Sequence, residues 1–104
     1  MLDHYKPWAV IREEEGTTVI LPVDIANKLE IEYEGEYARI TLTVHSSLQA
    51  VGLTAEVANA LRNSGISANI VAGFYHDHIF VPKEKAKEAI ESLRQYSAIK
   101  KTYD

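Results

Sequence analysis

Hydrophobic and polar residues alternate most regularly between residues 37 and 45. The apolar positions are Ala38, Ile40, Leu42 and Val44, and the polar positions between them are Arg39, Thr41, Thr43 and His45. A period of two with one polar face predicts a strand that is covered on one side only.

The pattern then changes to that of a helix. Residues 46–52 predict a loop, and hydrophobic residues at helical spacing predict a helix that ends near Ser64. The predicted buried stripe consists of Leu53, Val57, Ala58 and Leu61. Gly65 stands where a left-handed C-terminal cap belongs.

Residues 67–82 predict a hairpin in which Ala68, Ile70, Ala72 and Phe74 share one face. We expect its turn near residues 75–77 and its return strand at 79–81. Pro82 ends that strand and begins a last helix, and the tail after Ser97 is expected to fray.

The first 36 residues carry a different pattern. Residues 8–21 predict a hairpin that turns at Gly16, and Pro22 begins a short helix over residues 23–29. Residues 30–37, which contain four glutamates, predict an exposed acidic connector.

The order of these elements predicts an α+β fold with a ferredoxin-like antiparallel sheet. Residues 37–97 form a β-α-β-β-α core that lacks its last strand. The right-handed crossover rule places both helices on one face of that sheet. We expect the N-terminal hairpin, through residues 17–21, to supply the edge strand. The chain, residues 1–104, is interpreted as a single domain.

Composition narrows the class of protein. The chain has 104 residues, of which 46% are hydrophobic and 25% charged, as in ordinary globular domains. A net charge of -4 argues against nucleic acid as a partner, because phosphates attract basic surfaces. No apolar run reaches 18 residues, and there is no cysteine. We therefore expect a cytoplasmic protein without a membrane span, disulfides or thiol chemistry.

Two stretches, residues 40–61 and 64–82, resemble ACT domains, and the resemblance extends over about residues 37–96. Within that family the chain is similar to a group of small bacterial proteins. The resemblance implies a regulatory module that pairs with a second copy and binds a small molecule, most often an amino acid. It also implies that the ligand contacts the strand-to-helix loop at residues 45–53. Gly52 and Leu53 match the family's glycine and the aliphatic residue after it.

The chemistry of that loop suits a ligand with a carboxylate. The first turn of a helix leaves backbone N–H groups unpaired and carries a partial positive charge. Glycine allows close approach to such amides, and serine hydroxyls add donors. Alternatively, the serines only cap the turn and Gly52 fits a tight backbone. The predicted ligand-binding residues are His45, Ser46, Ser47, Val51, Gly52, Leu53, His76 and His78.

The histidines admit further interpretations. His76 and His78 share a face of a strand, Asp77 can orient one ring, and His45 can join them as a third zinc ligand. They can equally form a hydrogen-bonded turn or line the small-molecule pocket. We assign no metal and no cofactor, and we assign the aromatic residues around them to packing.

No catalytic constellation is present in the sequence. Ser46, His45 and Asp77 lack the nucleophile elbow, and neighbours on a strand face opposite sides. We predict no enzyme and no catalytic residues, but an amino-acid-binding regulatory module that acts as a homodimer. The alternatives are a protein–protein interaction module that docks on a partner enzyme without a small ligand, and a His-based divalent metal-binding protein.

Overall fold

A computed structural model of the chain describes residues 5–42, 47–94 and 99–101. The chain divides into two compact units, Met1–Gly35 and Glu36–Asp104. Among the described residues, no helix combines the length and hydrophobicity needed to cross a bilayer.

The first unit is a hairpin followed by a short helix. Strands β1 (Ala9–Arg12) and β2 (Thr17–Ile20) pair antiparallel. Their turn is closed by backbone hydrogen bonds between Glu13 and Gly16, and the Thr18 hydroxyl donates to the Glu13 carboxylate. Helix α1 (Val23–Lys28) follows Pro22, whose fixed φ suits the start of a helix. These elements agree with the predictions for residues 8–29.

The second unit carries a four-stranded antiparallel sheet. Its strands are β3 (Tyr37–Leu42), β4 (Asn69–Ala72), β5 (Asp77–Pro82) and β6 (Ile99–Lys101), in the order β4-β5-β3-β6. Its helices are α2 (Ser47–Asn63) and α3 (Ala86–Leu93), with a 3₁₀ turn at Lys83–Lys85 before α3. This is the complete β-α-β-β-α-β order of a ferredoxin-like fold.

The source of the edge strand differs from the prediction. Strands β1 and β2 pair with each other in a separate two-stranded sheet, and β6 is the strand that pairs with β3. The expectation that the N-terminal hairpin supplies the edge is therefore wrong, and so is the expected fraying for residues 99–101, the part of the tail that the structure describes. Three residues carry too little pattern to reveal a strand when its partner lies about sixty positions away.

The hydrophobic core lies between one face of this sheet and its two helices. The buried cluster consists of Ala38, Ile40, Leu42, Val57, Leu61, Ile66, Ile79, Val81, Ala86, Ala89 and Leu93. Alternate residues of β3 and β5 enter it, which confirms that both helices cover the same face. Ala58 is exposed rather than part of the buried stripe of α2.

Helix α2 begins and ends through identifiable local causes. It starts at Ser47, so the predicted loop over 46–52 is wrong from that residue onward, because Gly52 lies in the second turn of the helix rather than at its start. At its end, Gly65 has a φ of 73°, Gly65 N–H donates to the Arg62 carbonyl, and Ile66 N–H donates to that of Leu61. This double hydrogen bond is a Schellman motif, and it confirms the predicted cap.

The polar face of β3 is not exposed to water, contrary to the prediction of a strand covered on one side. Arg39 and Thr41 are only 7% and 8% exposed, and Phe80, which pairs with Arg39, is 8% exposed. Alternating polarity does not distinguish solvent from a hydrogen-bonded interior, and an arginine stem can lie along apolar surface. From Ala38 to Leu42, both faces of β3 are therefore buried, whereas Tyr37 at its start is exposed.

Candidate functional site

The turn between β4 and β5 lies at one end of the sheet, and His76 and His78 lie in or next to it. Leu42, the last residue of β3, pairs with Asp77, the first residue of β5, which also pairs with Ala72 at the end of β4. The turn at residues 73–76 lies at this end, and the hydrogen bond from Thr54 to Asp77 brings α2 to it. We call this region the hairpin end of the sheet.

Only some of the residues predicted for the ligand-binding loop are among those that the structure describes. His45 and Ser46 lie outside the described residues. Ser47, Val51 and Leu53 belong to α2, but their side chains are likewise outside the description. Of the predicted loop positions, Gly52 is the one whose surroundings are described.

Gly52 lies in the second turn of α2 and is exposed. A Cβ atom added to it would meet no atom within 4 Å, and its φ is not in the left-handed region. Glycine in a helix costs up to about 1 kcal/mol relative to alanine. Neither packing within the described chain nor backbone conformation therefore requires glycine here.

Asp77 connects this end of the sheet to α2. The Thr54 hydroxyl donates to Asp77 Oδ2 at 3.2 Å, and Asp77 shares the helix-covered face with Ile79 and Val81. Asp77 and His78 face opposite sides of β5, because successive residues of a strand do so. His78 Nδ1 shares a hydrogen bond with the Thr41 hydroxyl at 3.1 Å.

His78 lies on the face of β5 that the helices do not cover, whereas His76 belongs to the turn before that strand rather than to the strand itself. The two ring centroids are 6.4 Å apart with the planes inclined by 75°. Burial, with smaller contributions from the Arg39 and His76 charges, lowers the pKa of His78 below its ordinary value, and Asp77 opposes this shift. This environment therefore favours the neutral form of the His78 ring.

We searched the described residues for a cluster of side chains that could bind a metal ion. There, no three His, Cys, Asp or Glu side chains come together as a possible metal site. The predicted third ligand, His45, lies outside the described residues.

The turn between β4 and β5 presents two aromatic side chains to solvent. Phe74 is 94% exposed and Tyr75 72% exposed, and their rings meet edge to face at 5.0 Å. Gly73 N–H donates to the His76 carbonyl at 2.8 Å, which closes the turn at residues 73–76, earlier than predicted. Phe74 therefore lies in the turn rather than on the inner face of β4, and of the aromatic residues here only Phe80 is buried.

Sequence reasoning missed Arg39, Thr41 and Thr54 as parts of this region. Arg39 and Thr41 occupy the polar positions of β3, and their closeness to His78 depends on the register of β3 with β5. That register is a long-range property of the sheet. A charged residue inside an otherwise strongly alternating strand is the one local signal that could have drawn attention to Arg39.

Comparison with known proteins places this architecture in a family. An ACT-domain model matches residues 34–95, and a second ACT-domain model matches residues 1–38. The chain belongs to the ACT-domain family, whose members are regulatory modules that bind small molecules, often amino acids. No curated protein matches the sequence.

Two solved structures show what the chain is similar to. A protein of unknown function from Vibrio cholerae, described as a possible transport protein, is 52% identical, with a TM-score of 0.78; the match covers 86% of this chain and 69% of that one. The regulatory subunit of aspartate kinase from Thermus thermophilus, in ligand-free form, is 30% identical, with a TM-score of 0.51. That match covers 60% of this chain and 42% of the subunit.

Proposed function

We propose that this protein is a non-catalytic regulatory module that binds a small molecule, in particular an amino acid, and acts as a cytoplasmic homodimer. Membership of the ACT family supports the regulatory role, and the similarity to an aspartate kinase regulatory subunit supports the amino-acid class. Because proteins of one fold bind different ligands, the identity of the ligand depends on the residues of the site.

The observation that carries this proposal is the free surface at Gly52. A glycine that the fold does not need leaves the backbone of the second turn of α2 open to a molecule from outside the chain. It lies at the hairpin end, close in sequence to Thr54, which bonds to Asp77. The ligand's carboxylate would contact the start of α2, because the backbone N–H groups at the start of a helix favour a carboxylate.

Thermal denaturation with each of the twenty standard amino acids tests this assignment. A ligand at about 100 times its Kd stabilises the folded state by about 2.7 kcal/mol. We expect one amino acid, or a few related ones, to raise the Tm of the wild-type protein. Absence of any shift at millimolar concentration would contradict amino-acid binding and favour docking on a partner protein, for which the exposed Phe74–Tyr75 pair is suited.

A pair of variants separates binding from folding. Gly52→Leu places a side chain over the open backbone, and we expect it to weaken ligand affinity at least about tenfold, a loss of about 1.4 kcal/mol. Ala58→Leu adds the same side chain to an exposed position of the same helix and should bind normally. Neither substitution should destabilise the free protein appreciably, because leucine favours helices more than glycine does and only slightly less than alanine does.

The two edges of the sheet suggest how copies associate. Strand β6 contains Lys100 and Lys101, whereas β4 has the sequence Asn-Ile-Val-Ala, with no charge and no proline. Exposed strand edges are usually protected from pairing by charged residues or proline. An unprotected β4 edge therefore suits pairing with the same strand of a second copy.

Light scattering on an edge variant tests this dimer. Ala72→Lys adds a charge at the exposed end of β4, and we expect it to convert the dimer to a monomer at micromolar concentration. Ala55→Lys, at an exposed position of α2, is the matched control and should remain dimeric. A monomeric wild-type protein, or a dimeric Ala72→Lys variant, would refute pairing through β4.

A further inference from the structure

The outer edge of β4 presents a defined set of backbone groups. Gly73 N–H donates to the His76 carbonyl at 2.8 Å, so these two residues form a hydrogen-bonded pair where the ladder between β4 and β5 meets the turn. In an antiparallel ladder such pairs alternate with pairs whose N–H and C=O groups point away from each other. Counting back along β4, Val71 therefore bonds to β5, whereas the N–H and C=O groups of Ile70 and Ala72 point to the outer edge.

The hydrophobic core also reaches this edge. Ile70 pairs with Ile79, which is fully buried, so both side chains lie on the helix-covered face. Ile70 packs against the buried cluster but is only partly buried itself, and the same holds for Ala68 just before the strand. Among the described strands, β5 is the one neighbour of β4. The edge therefore combines outward-pointing backbone groups with apolar side chains that the described chain covers only in part.

The sequence of this edge is nearly symmetric about Ile70. Residues 68–72 are Ala-Asn-Ile-Val-Ala, so the two alanines mirror each other and Asn69 mirrors Val71. A two-fold axis through the central residue places each side chain opposite its mirror position on a second copy. Alanine then lies opposite alanine and isoleucine opposite isoleucine on the helix-covered face. This self-complementarity favours a second copy of the chain over an unrelated strand.

We propose that β4 pairs antiparallel with the same strand of a second copy, in the register that places Ile70 opposite the partner's Ile70. This inference rests on the homodimer of the proposed function and assigns its register. Outward-pointing groups must meet outward-pointing groups, so the axis passes through a residue and not between two. Of the two central residues of β4, an axis at Val71 would place Ala68 opposite the partner's Phe74, which lies in the turn. The axis at Ile70 keeps the ladder within residues 68–72.

This register joins the four-stranded sheets of two copies into one continuous sheet. The two-fold axis stands perpendicular to that sheet, so the helices of both copies cover the same side. Ile70 and the partner's Ile70 lie side by side under those helices, and the partly covered end of each core is closed by the other copy.

Disulfide trapping with single-cysteine variants tests the register, because the chain has no cysteine of its own. With the axis at Ile70, residue 69 lies opposite the partner's residue 71 at a Cα separation of about 4.5 Å, within the range of a disulfide. Residues 69 and 71 each lie about 7–8 Å from their own counterpart, which is too far. We therefore expect Asn69→Cys and Val71→Cys to form no cross-link separately. Refolded together under mild oxidation, they should cross-link in about half of the dimers, the share in which random association unites one chain of each kind.

The outcomes separate the register from the homodimer. Ala55→Cys, at an exposed position of α2, is the collision control and should remain uncross-linked in every mixture. A cross-link formed by Val71→Cys alone would overturn the register and leave pairing through β4 intact. If no mixture cross-links although light scattering shows a dimer, pairing through β4 is wrong as well. A monomeric wild type would refute the homodimer itself.

Amide hydrogen exchange on the wild-type protein guards against cysteine variants that fail to fold. The Ile70 and Ala72 amides point away from β5, so solvent reaches them unless a partner strand covers the edge. We expect both to exchange at least about tenfold more slowly in the dimer than after dilution to the monomer. Equal exchange rates in the two states would overturn the proposal whatever the variants do.

Discussion

Replacing Leu61 with alanine is expected to lower the free energy of unfolding by about 2–5 kcal/mol. Leu61 is 1% exposed, lies on the inner face of α2 and belongs to the buried cluster between the helices and the sheet. Its truncation removes apolar contacts and leaves a cavity that its neighbours on β3 and β5 fill only in part. Urea denaturation monitored by circular dichroism measures the change.

The control for this prediction is a larger truncation at an exposed site. Phe74→Ala removes more atoms than Leu61→Ala, yet Phe74 is 94% exposed, so its loss should change stability by less than about 0.5 kcal/mol. If the two variants proved equally stable, the helix-on-sheet core described here would be incorrect.

Replacing Gly73 with alanine is expected to destabilise the protein by about 1–3 kcal/mol, because a side chain there has no room. An added Cβ would lie 2.8 Å from the His76 carbonyl oxygen, a backbone atom held by the hydrogen bond that closes the turn. The turn must open to relieve the contact. Denaturation should show the loss, and amide hydrogen exchange should show it first in residues 73–78.

Gly52→Ala is the matched control, since it makes the same chemical change where space is free. No atom of the described residues lies within 4 Å of the added Cβ, and the residue is helical, so stability should rise by about 0.5–1 kcal/mol. A stabilised Gly73→Ala, or a strongly destabilised Gly52→Ala, would contradict the local geometry of the turn or of α2.

The elements with repeated patterns could be predicted from the sequence, because their signals are local. The alternation in β3, the helical spacing of Val57 and Leu61, and the glycine cap at Gly65 each specify structure within a few residues. The edge strand β6 could not, because a strand of three residues is defined by its pairing with β3 rather than by its own pattern.

The candidate site likewise combines features that a local pattern predicts with contacts that no local pattern predicts. The spacing of His76 and His78 predicts neighbouring rings, which lie 6.4 Å apart, but it does not reveal that His76 belongs to the turn rather than to β5. The bond from Thr54 to Asp77 joins a helix to a strand, and the bond between Thr41 and His78 depends on strand register. Such contacts arise only when distant segments fold together, so no local pattern carries them.

The position of β3 in the sheet also bears on how the second unit folds. Hairpin β4–β5 closes over a four-residue turn and α2 is stabilised by local hydrogen bonds, so both can form early. Strand β3 pairs only with segments about forty and sixty residues further along the chain. Closing such loops costs entropy before any contact compensates for it, and topologies rich in such pairings fold more slowly. We therefore expect docking of β3 to be the slow step in the folding of this unit.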